Sequence, residues 1–330
     1  IILPYKAYHG VEHTTSIMIL LGPGYDLMRS RYIDLLGVSS HELYHAWNIK
    51  AIRPEEMNPY DYTKENYSKM GYVAEGVTTY MGDLMLFESG VLDKKQYCNE
   101  LNQYLKRHYN NGGRLNKSVA DSSYDLWLDG YELGTPDRKS SIYIEGALIS
   151  FMIDTKIREG SNGKYSLHTV MKKLYSEYAK KGIGYNENIY KSLIEEFSGV
   201  SFTSFFNSYI NDSKDFTTEL KKCFKLRGFE FQKTHSHNAT ERYGIILQSD
   251  SEKGRTIQHV QEKSAAYNAG LRRGDEIILV ESFPVDNNLA NWLEYFEEKS
   301  VELLLQNKGE CRTVRLESPT GAQFWEYKVN

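Results

Sequence analysis

The spacing of apolar residues divides the chain into a strand-like start, a long helical stretch and a strand-rich end. Residues 1–21 cluster their apolar side chains as strands do. Helix-type spacing of three and four then dominates as far as residue 212, over segments 34–45, 64–90, 94–111, 140–158, 166–181, 186–198 and 201–212. Residues 218–232 turn strand-like, and strands with short turns follow, with one more helix over 289–299. The pattern predicts an α+β chain with more than one domain.

Composition narrows the classes of partner. The chain has 330 residues and a formal net charge of −4, with acidic and basic residues mixed throughout. No long basic run is present, which argues against nucleic acid as a partner, and no apolar stretch is long enough to span a bilayer. The three cysteines are far apart in sequence and predict neither a disulfide framework nor a thiolate metal site.

One short motif carries candidate chemistry. His41 and His45 are four positions apart, so on a helix both imidazoles lie on one face and can bind the same ion. Glu42 follows the first histidine directly, where its carboxylate can take a proton from water beside that ion. The motif alone also fits a helix with two partly exposed histidines.

A third ligand is expected from the next helix. A catalytic zinc site uses three protein ligands and leaves one position open. Glu75 lies 30 positions after His45, enough chain for a loop and a return to the same face. Its apolar neighbours predict that it is buried, and a buried carboxylate needs a cation or hydrogen bonds; these neighbours are Val73, Ala74, Val77 and Tyr80. The sequence therefore predicts one Zn²⁺ bound by His41, His45 and Glu75.

These residues also resemble a known family. The run from His41 to Asn48, followed by Lys50, Arg53-Pro54 and Glu75-Gly76, is similar to the glycyl aminopeptidases, which are zinc metallopeptidases of the gluzincin group. The resemblance implies a mainly helical, thermolysin-like catalytic domain that acts on peptides and prefers N-terminal Gly or Ala. It also implies a β-rich domain upstream of Ile1.

The resemblance assigns roles to residues outside the motif. His9-Gly10-Val11-Glu12-His13 is similar to the family strand that pairs with an extended substrate, which implies that Gly10 and Glu12 bind substrate and that Glu12 holds the free α-ammonium. Tyr143, three residues before Gly146, corresponds to the tyrosine that stabilises the oxyanion. Glu145 departs from the family, which often has Lys there.

The C-terminal part resembles a PDZ domain of the bacterial type. The resemblance rests on Tyr243-Gly244-Ile245-Ile246 and on the later run from Ala269-Gly270-Leu271 to Gly274-Asp275. In PDZ domains the first loop exposes backbone N–H groups that capture a C-terminal carboxylate. A PDZ fold can also serve only as a structural appendage.

Together these observations predict a metallopeptidase domain over residues 1–225 and a small β-rich PDZ domain over residues 226–330. The leading hypothesis is a zinc aminopeptidase with Glu42 as general base. Two alternatives stay open: a zinc endopeptidase, if Glu12 does not face the metal, and a PDZ peptide-binding protein with an idle metal site.

Overall fold

The computed structural model describes residues 1–29, 31–129, 135, 137–236, 238–248, 254–296, 299–319 and 325–330. The chain divides into two compact units, Ile1–Phe231 with Val329–Asn330, and Gln232–Lys328. The first unit is mainly helical and the second contains small antiparallel sheets. This agrees with the predicted mixture of helix and sheet. Among the described residues, no helix has the length and apolar character needed to cross a membrane.

The first unit begins with an antiparallel hairpin and continues almost entirely as helices. Strands β1 (Ala7–Glu12) and β2 (Ile17–Gly22) pair so that Gly10 lies opposite Ile19. The helices are α1 (Tyr32–Tyr44), a π-helical segment (Tyr72–Val77) that runs into α2 (Thr78–Glu88), α3 (Lys94–Tyr109), α4 (Val119–Tyr124), α5 (Leu126–Asp129), α6 (Ile144–Gly160), α7 (Leu167–Lys173), α8 (Glu187–Ser198), α9 (Thr203–Tyr209) and α10 (Thr217–Leu226).

Two expectations about these elements were wrong. The helix predicted from residue 64 begins only at Tyr72, after an irregular stretch. The segment 218–232, predicted as strand-like, is mostly the helix α10. Its buried residues Leu220, Cys223 and Phe224 follow helical spacing, so one face of α10 packs on the core while its lysines stay exposed.

The π-helical segment packs very closely against α6. A Cβ atom placed on Gly76 would lie 2.3 Å from the Gly146 Cα atom, and one placed on Gly146 would lie 2.6 Å from the Tyr72 carbonyl oxygen. Only glycine allows this approach of two backbones. The contact therefore fixes the position of Glu75, the neighbour of Gly76, relative to the start of α6.

We expect Gly76→Ala to destabilise the protein by about 1–3 kcal/mol, because the added methyl group has backbone on the other side and cannot be accommodated by a rotamer change. Urea unfolding measures the loss. Gly37→Ala in α1 is the matched control, since the nearest atom to its Cβ would be Asp83 Oδ1 at 3.7 Å. That control should be neutral or stabilising by up to about 1 kcal/mol. Equal stability of the two variants would contradict the close packing.

A buried carboxylate ties the helical core together. Asp154 on α6 is fully buried and accepts hydrogen bonds from Tyr80 on α2, Arg227 after α10, Arg158 and the backbone N–H of Leu167. Burial acts to raise the pKa of Asp154, but the two guanidinium groups, the Leu167 N–H and the Tyr80 hydroxyl outweigh it and lower the pKa. The ionised group thus joins four elements that surround the apolar core.

The second unit combines short strands and helices around its own core. Its strands are β3 (Phe231–His235), β4 (Ile245–Leu247), β5 (Ile257–Val260), β6 (Glu276–Val280), β7 (Phe283–Pro284), β8 (Val301–Asn307), β9 (Glu310–Leu316) and β10 (Trp325–Val329), and its helices are α11 (Ala239–Arg242), α12 (Ala265–Asn268) and α13 (Leu289–Tyr295). The sheet orders are β7-β6-β8-β9, β4-β5 and β10-β3. Buried Asp275 accepts hydrogen bonds from Asn307 and Arg312, which explains the Gly-Asp pair noted in the sequence.

The predicted carboxylate-binding loop is partly closed by its own hydrogen bonds. The backbone N–H of Tyr243 donates to the Thr240 carbonyl and that of Gly244 to the Glu241 carbonyl, at 3.2 and 2.9 Å. Ile245 is buried and pairs with Val260. Two of the N–H groups expected to face a ligand therefore already donate hydrogen bonds at the end of α11. The PDZ assignment of this unit stays a prediction.

Candidate metal centre and active site

Three ligand atoms of the first unit converge on one point. The Nε2 atoms of His41 and His45 lie 3.0 Å apart, and each lies 3.3 Å from Glu75 Oε2. Ligands of a tetrahedral zinc are separated from one another by roughly 3.3–3.6 Å, given bonds of about 2.0–2.2 Å. Glu75 Oε2 is buried and has no hydrogen-bond partner. The residues and their spacing therefore fit a divalent cation.

Local structure explains why these side chains meet. His41 and His45 are one turn apart at the end of α1, while Glu75 lies in the π-helical segment, whose extra residue per turn shifts its register. Gly82 lets α2 approach α1, since a Cβ there would lie 3.2 Å from the His41 backbone nitrogen. Ser40 donates a 2.8 Å hydrogen bond to the Gly82 carbonyl and fixes this contact.

Asn48 connects the two metal-binding elements. Its fully buried side chain donates to the carbonyl oxygens of Val73 and Ala74 at 2.8 and 3.1 Å and lies 3.0 Å from Thr78 Oγ1. The backbone carbonyl oxygen of Asn48 lies 3.0 Å from Nδ1 of His45. One residue thus orients a histidine and holds the backbone that carries Glu75.

The second ring nitrogen of His41 has a different neighbour. Thr79 Oγ1 lies 3.4 Å from His41 Nδ1, where it can support the imidazole. Asp83, one turn further along α2, is instead engaged by the hydroxyl of Tyr104. The structure therefore brings Thr79, and not Asp83, to a metal-ligand candidate.

The electrostatics of the triad favour a carboxylate facing positive charge. Burial acts to raise the pKa of the Glu75 carboxyl, but its contacts with His41 and His45 outweigh burial and lower the pKa to about 2. Burial likewise acts to lower the pKa of His45, and the Glu75 carboxylate more than offsets this, so the pKa is raised. The ionised Glu75 supplies the negative charge that a metal ion requires.

Glu42 lies beside the triad in a confined position. It is 6% exposed, and its Oε2 has no hydrogen-bond partner. Burial raises the pKa of Glu42, although the neighbouring imidazoles of His41 and His45 act in the opposite direction. A Cβ on Gly10 would come within 2.1 Å of Glu42 Oε1, so β1 passes directly over the carboxylate. Gly10 therefore contributes the space in which Glu42 stands.

Glu12 is near the triad and already has a partner. Ligand atoms of Glu12, Glu42 and His45 all lie within 4.8 Å of one another, which makes a second group that could hold a cation. However, Glu12 Oε1 lies 3.1 Å from the ammonium of Lys50. The group with Glu75 is the better metal candidate, because its carboxylate oxygen has no other partner.

Tyr143 lies at the edge of the site, immediately before α6. Its ring stacks on that of His41 with centroids 6.2 Å apart and an interplanar angle of 29°. Glu145, where the resemblance expects Lys, is turned into the core and pairs with buried His108 at 2.7 Å. The departure from the family therefore does not place a charge beside the triad.

Sequence reasoning missed the roles of Asn48 and Lys50. Both were noted only as parts of a run that resembles a family, three and five positions after His45. The one hint in the sequence is that both lie close to His45, in a turn that must reverse the chain. Their partners lie far along the sequence, so the sequence alone does not identify the contacts.

One protein family matches part of the chain. The profile of the M61 glycyl aminopeptidase family matches residues 34–149. That stretch contains His41, His45, Glu75 and Tyr143, but neither Glu12 nor the second unit. The expected likeness to this family is thus confirmed for about a third of the chain, and its members are generally metallopeptidases. No curated protein sequence matched the chain.

Solved structures give a broader likeness. A crystal structure described as an aminopeptidase N family protein from Idiomarina loihiensis aligns with a TM-score of 0.85 and 25% identity, and covers 98% of this chain. The present chain spans 58% of the length of that protein. A photosystem II D1 C-terminal processing protease also aligns, over 52% of this chain and 43% of its own, but its TM-score of 0.21 at 15% identity carries no weight. The first match and the family profile both favour a peptidase.

Proposed function

We propose that this chain is the catalytic part of a zinc-dependent aminopeptidase, which removes the N-terminal residue, Gly or Ala, from peptides. The observation that carries the proposal is the convergence of His41, His45 and Glu75, within 3.0–3.3 Å, beside the unpartnered carboxylate of Glu42. A purely structural zinc site needs no such carboxylate and fills all four positions with protein ligands. The Gly or Ala preference rests on the likeness to the glycyl aminopeptidases alone.

His41, His45 and Glu75 would hold the metal. Two imidazole nitrogens and one carboxylate oxygen form a donor set that suits Zn²⁺ and leaves a position for solvent. Bound there, zinc would act as a Lewis acid that makes water more acidic and polarises a peptide carbonyl. The contacts of Asn48, Thr79 and Gly82 around the ligands would help to orient the donor atoms.

The neighbouring residues have separate tasks. Glu42 takes a proton from water and passes it to the departing amine, and its raised pKa keeps it a better base than an exposed carboxylate. The Tyr143 hydroxyl donates a hydrogen bond to the developing oxyanion. Glu12 pairs with the free α-ammonium of the peptide, which limits cleavage to the first residue. Gly10 lets β1 lie against Glu42. The edge of β1 pairs with the backbone of the substrate.

The test compares metal content and substrate choice. Metal analysis should give close to one zinc per chain, and glycyl and alanyl amides should be hydrolysed, whereas their N-acetylated counterparts should not. Amides of larger residues serve as controls for the Gly or Ala preference. A protein without zinc, or without activity on any peptide substrate, would overturn the proposal.

A zinc endopeptidase is the second candidate, and one observation favours it. Lys50 forms an ion pair with Glu12, so the carboxylate proposed to bind the α-ammonium already has a cationic partner in this chain. If N-acetylated and internal peptide bonds are cleaved as fast as free N-termini, the endopeptidase is the correct function. Hydrolysis confined to free amines excludes it.

Peptide docking at the second unit is a separate proposal. A peptide with a free C-terminus would add as a strand to β4 and place its carboxylate near Tyr243, Gly244, Ile245 and Ile246. The hydrogen bonds already made by the N–H groups of Tyr243 and Gly244 reduce the donors available. Calorimetric titration of such peptides into the whole chain tests it, with C-terminally amidated peptides as the control. Equal binding of both forms, or none, would contradict it.

We expect Asn48→Leu to weaken zinc binding by about 10–100-fold, because loss of the amide releases the backbone that carries Glu75. Competition with a chromophoric chelator measures the dissociation constant. Asn66→Leu is the matched control, since the Asn66 side chain is also buried and its hydrogen bonds close a loop with Asp61 and Lys64. Unchanged zinc affinity in Asn48→Leu would show that the connection is dispensable.

A further inference from the structure

Lys50 lies where the proposed function puts the substrate's α-ammonium. Its Nζ atom is 3.1 Å from Glu12 Oε1, and both side chains are largely shielded from solvent, with 22% and 28% exposed. The Glu12 carboxylate in turn lies within 4.8 Å of ligand atoms of Glu42 and His45. A cation of this chain therefore already neutralises the carboxylate that faces the site.

The turn that carries Lys50 is strained. Ile49 has φ of 93°, a conformation that a β-branched residue rarely adopts. Hydrogen bonds hold it there, from the Ile49 N–H to the Ile52 carbonyl, from the Lys50 N–H to the His45 carbonyl and from Arg53 Nε to the Ile49 carbonyl. Such strain persists only where surrounding contacts determine the backbone, and it is common at functional sites. From this turn Asn48 reaches the carbonyls of Val73 and Ala74, just before Glu75, and Lys50 reaches Glu12.

Charge explains why Glu12 needs this partner. The carboxylates of Glu12 and Glu42 are close enough to repel each other strongly at a site of low solvent access. Since Glu12 stands at the end of β1 and is partly exposed, an unpaired carboxylate would turn toward solvent. The contact that the structure gives for this pair joins the Lys50 ammonium to Glu12 Oε1.

We propose that Lys50 is a positioning residue for recognition of the substrate's N-terminus. It holds the Glu12 carboxylate beside the metal ligands and offsets the repulsion between Glu12 and Glu42, so that the α-ammonium of a peptide binds the second oxygen of Glu12. This inference rests on the proposed aminopeptidase function and adds the residue that sets its requirement for a free amine.

Kinetics of Lys50→Met test the proposal. We expect KM for a glycyl amide to rise about tenfold while kcat changes little, and Lys50→Arg to recover most of the loss. Zinc content should stay that of the parent protein. Lys173→Met is the matched control. Lys173 is 24% exposed, and its Nζ atom lies 2.6 Å from Glu196 Oε1, a residue outside the triad. A KM that is unchanged, or that falls because Lys50 competes with substrate, would overturn the proposal.

A double variant separates positioning from general stability. In a Glu12→Gln background, Lys50→Met should have no further effect on KM, since Lys50 acts only through Glu12. Additive effects would contradict this. Binding of glycinamide, measured by calorimetry at about pH 6.5, where its amine is charged, gives a readout without turnover. N-acetylglycinamide is the control.

The two failures are distinguishable. If the parent protein binds glycinamide but hydrolyses nothing, the proposed function fails, and the calorimetric comparison of Lys50→Met with the parent still decides the role of Lys50. If the parent hydrolyses glycyl amides and Lys50→Met behaves as Lys173→Met does, only the role of Lys50 fails.

Discussion

Replacing Glu42 by Gln should reduce hydrolysis of a glycyl amide by about a thousandfold, with nearly unchanged zinc content. The amide has the shape of the carboxylate and fits in the space beside Gly10, but it cannot accept the proton that water must lose. Because Glu42 Oε2 has no hydrogen-bond partner, the change at that atom breaks no hydrogen bond within the protein. Turnover and metal analysis on the same preparation measure both quantities.

Zinc content is the control that gives this result its meaning. Glu42 also belongs to the second group of candidate ligands, with Glu12 and His45. If Glu42→Gln lost zinc together with activity, the metal would lie in that second group. If the variant kept substantial activity with its zinc, another residue would be the base.

Replacing Glu75 by Gln should weaken zinc binding by more than about a hundredfold and abolish hydrolysis. The triad would lose its only negative ligand, whose pKa the two imidazoles hold at about 2. A ligand that binds only the folded state stabilises it, by about 4 kcal/mol at 1,000 times its dissociation constant. Thermal unfolding with and without zinc should therefore show a large stabilisation of the parent protein and almost none of the variant.

Glu88→Gln is the matched control for that measurement. Glu88 Oε2 also lies 3.3 Å from a histidine, Nε2 of His168, but a third ligand does not join that pair among the described groups. This variant should retain the full stabilisation by zinc. Equal loss in both variants would mean that zinc acts at exposed Glu–His pairs, and equal retention would remove Glu75 from the metal site.

The elements of the site could be predicted from sequence better than their connections. In any α-helix, residues four positions apart lie on the same face, so the proximity of His41 and His45 could be predicted. The burial expected for Glu75 follows from its apolar neighbours. The structure brings these three together. The π-helical backbone around Glu75 was not predictable, because its register depends on the contact of Gly76 with Gly146 and on the hydrogen bonds from Asn48.

The remaining errors have similar causes. The helix α10 was mistaken for strand because Phe224, Phe229 and Phe231 favour strands, whereas the burial of Leu220, Cys223 and Phe224 on one face decides the outcome. The pairing of Lys50 with Glu12 joins positions 38 residues apart and depends on an unfavourable φ at Ile49. No local preference predicts a backbone that only tertiary contacts maintain.

Anomalous diffraction at the zinc absorption edge, from crystals of the zinc-loaded chain, shows whether His41, His45 and Glu75 bind one zinc ion. We expect one strong peak per chain, about 2.0–2.2 Å from Nε2 of His41, Nε2 of His45 and a Glu75 carboxylate oxygen, with no fourth protein ligand. A peak bound by a fourth side chain, a peak at Glu12 and Glu42 instead, or no peak in this unit would contradict this expectation.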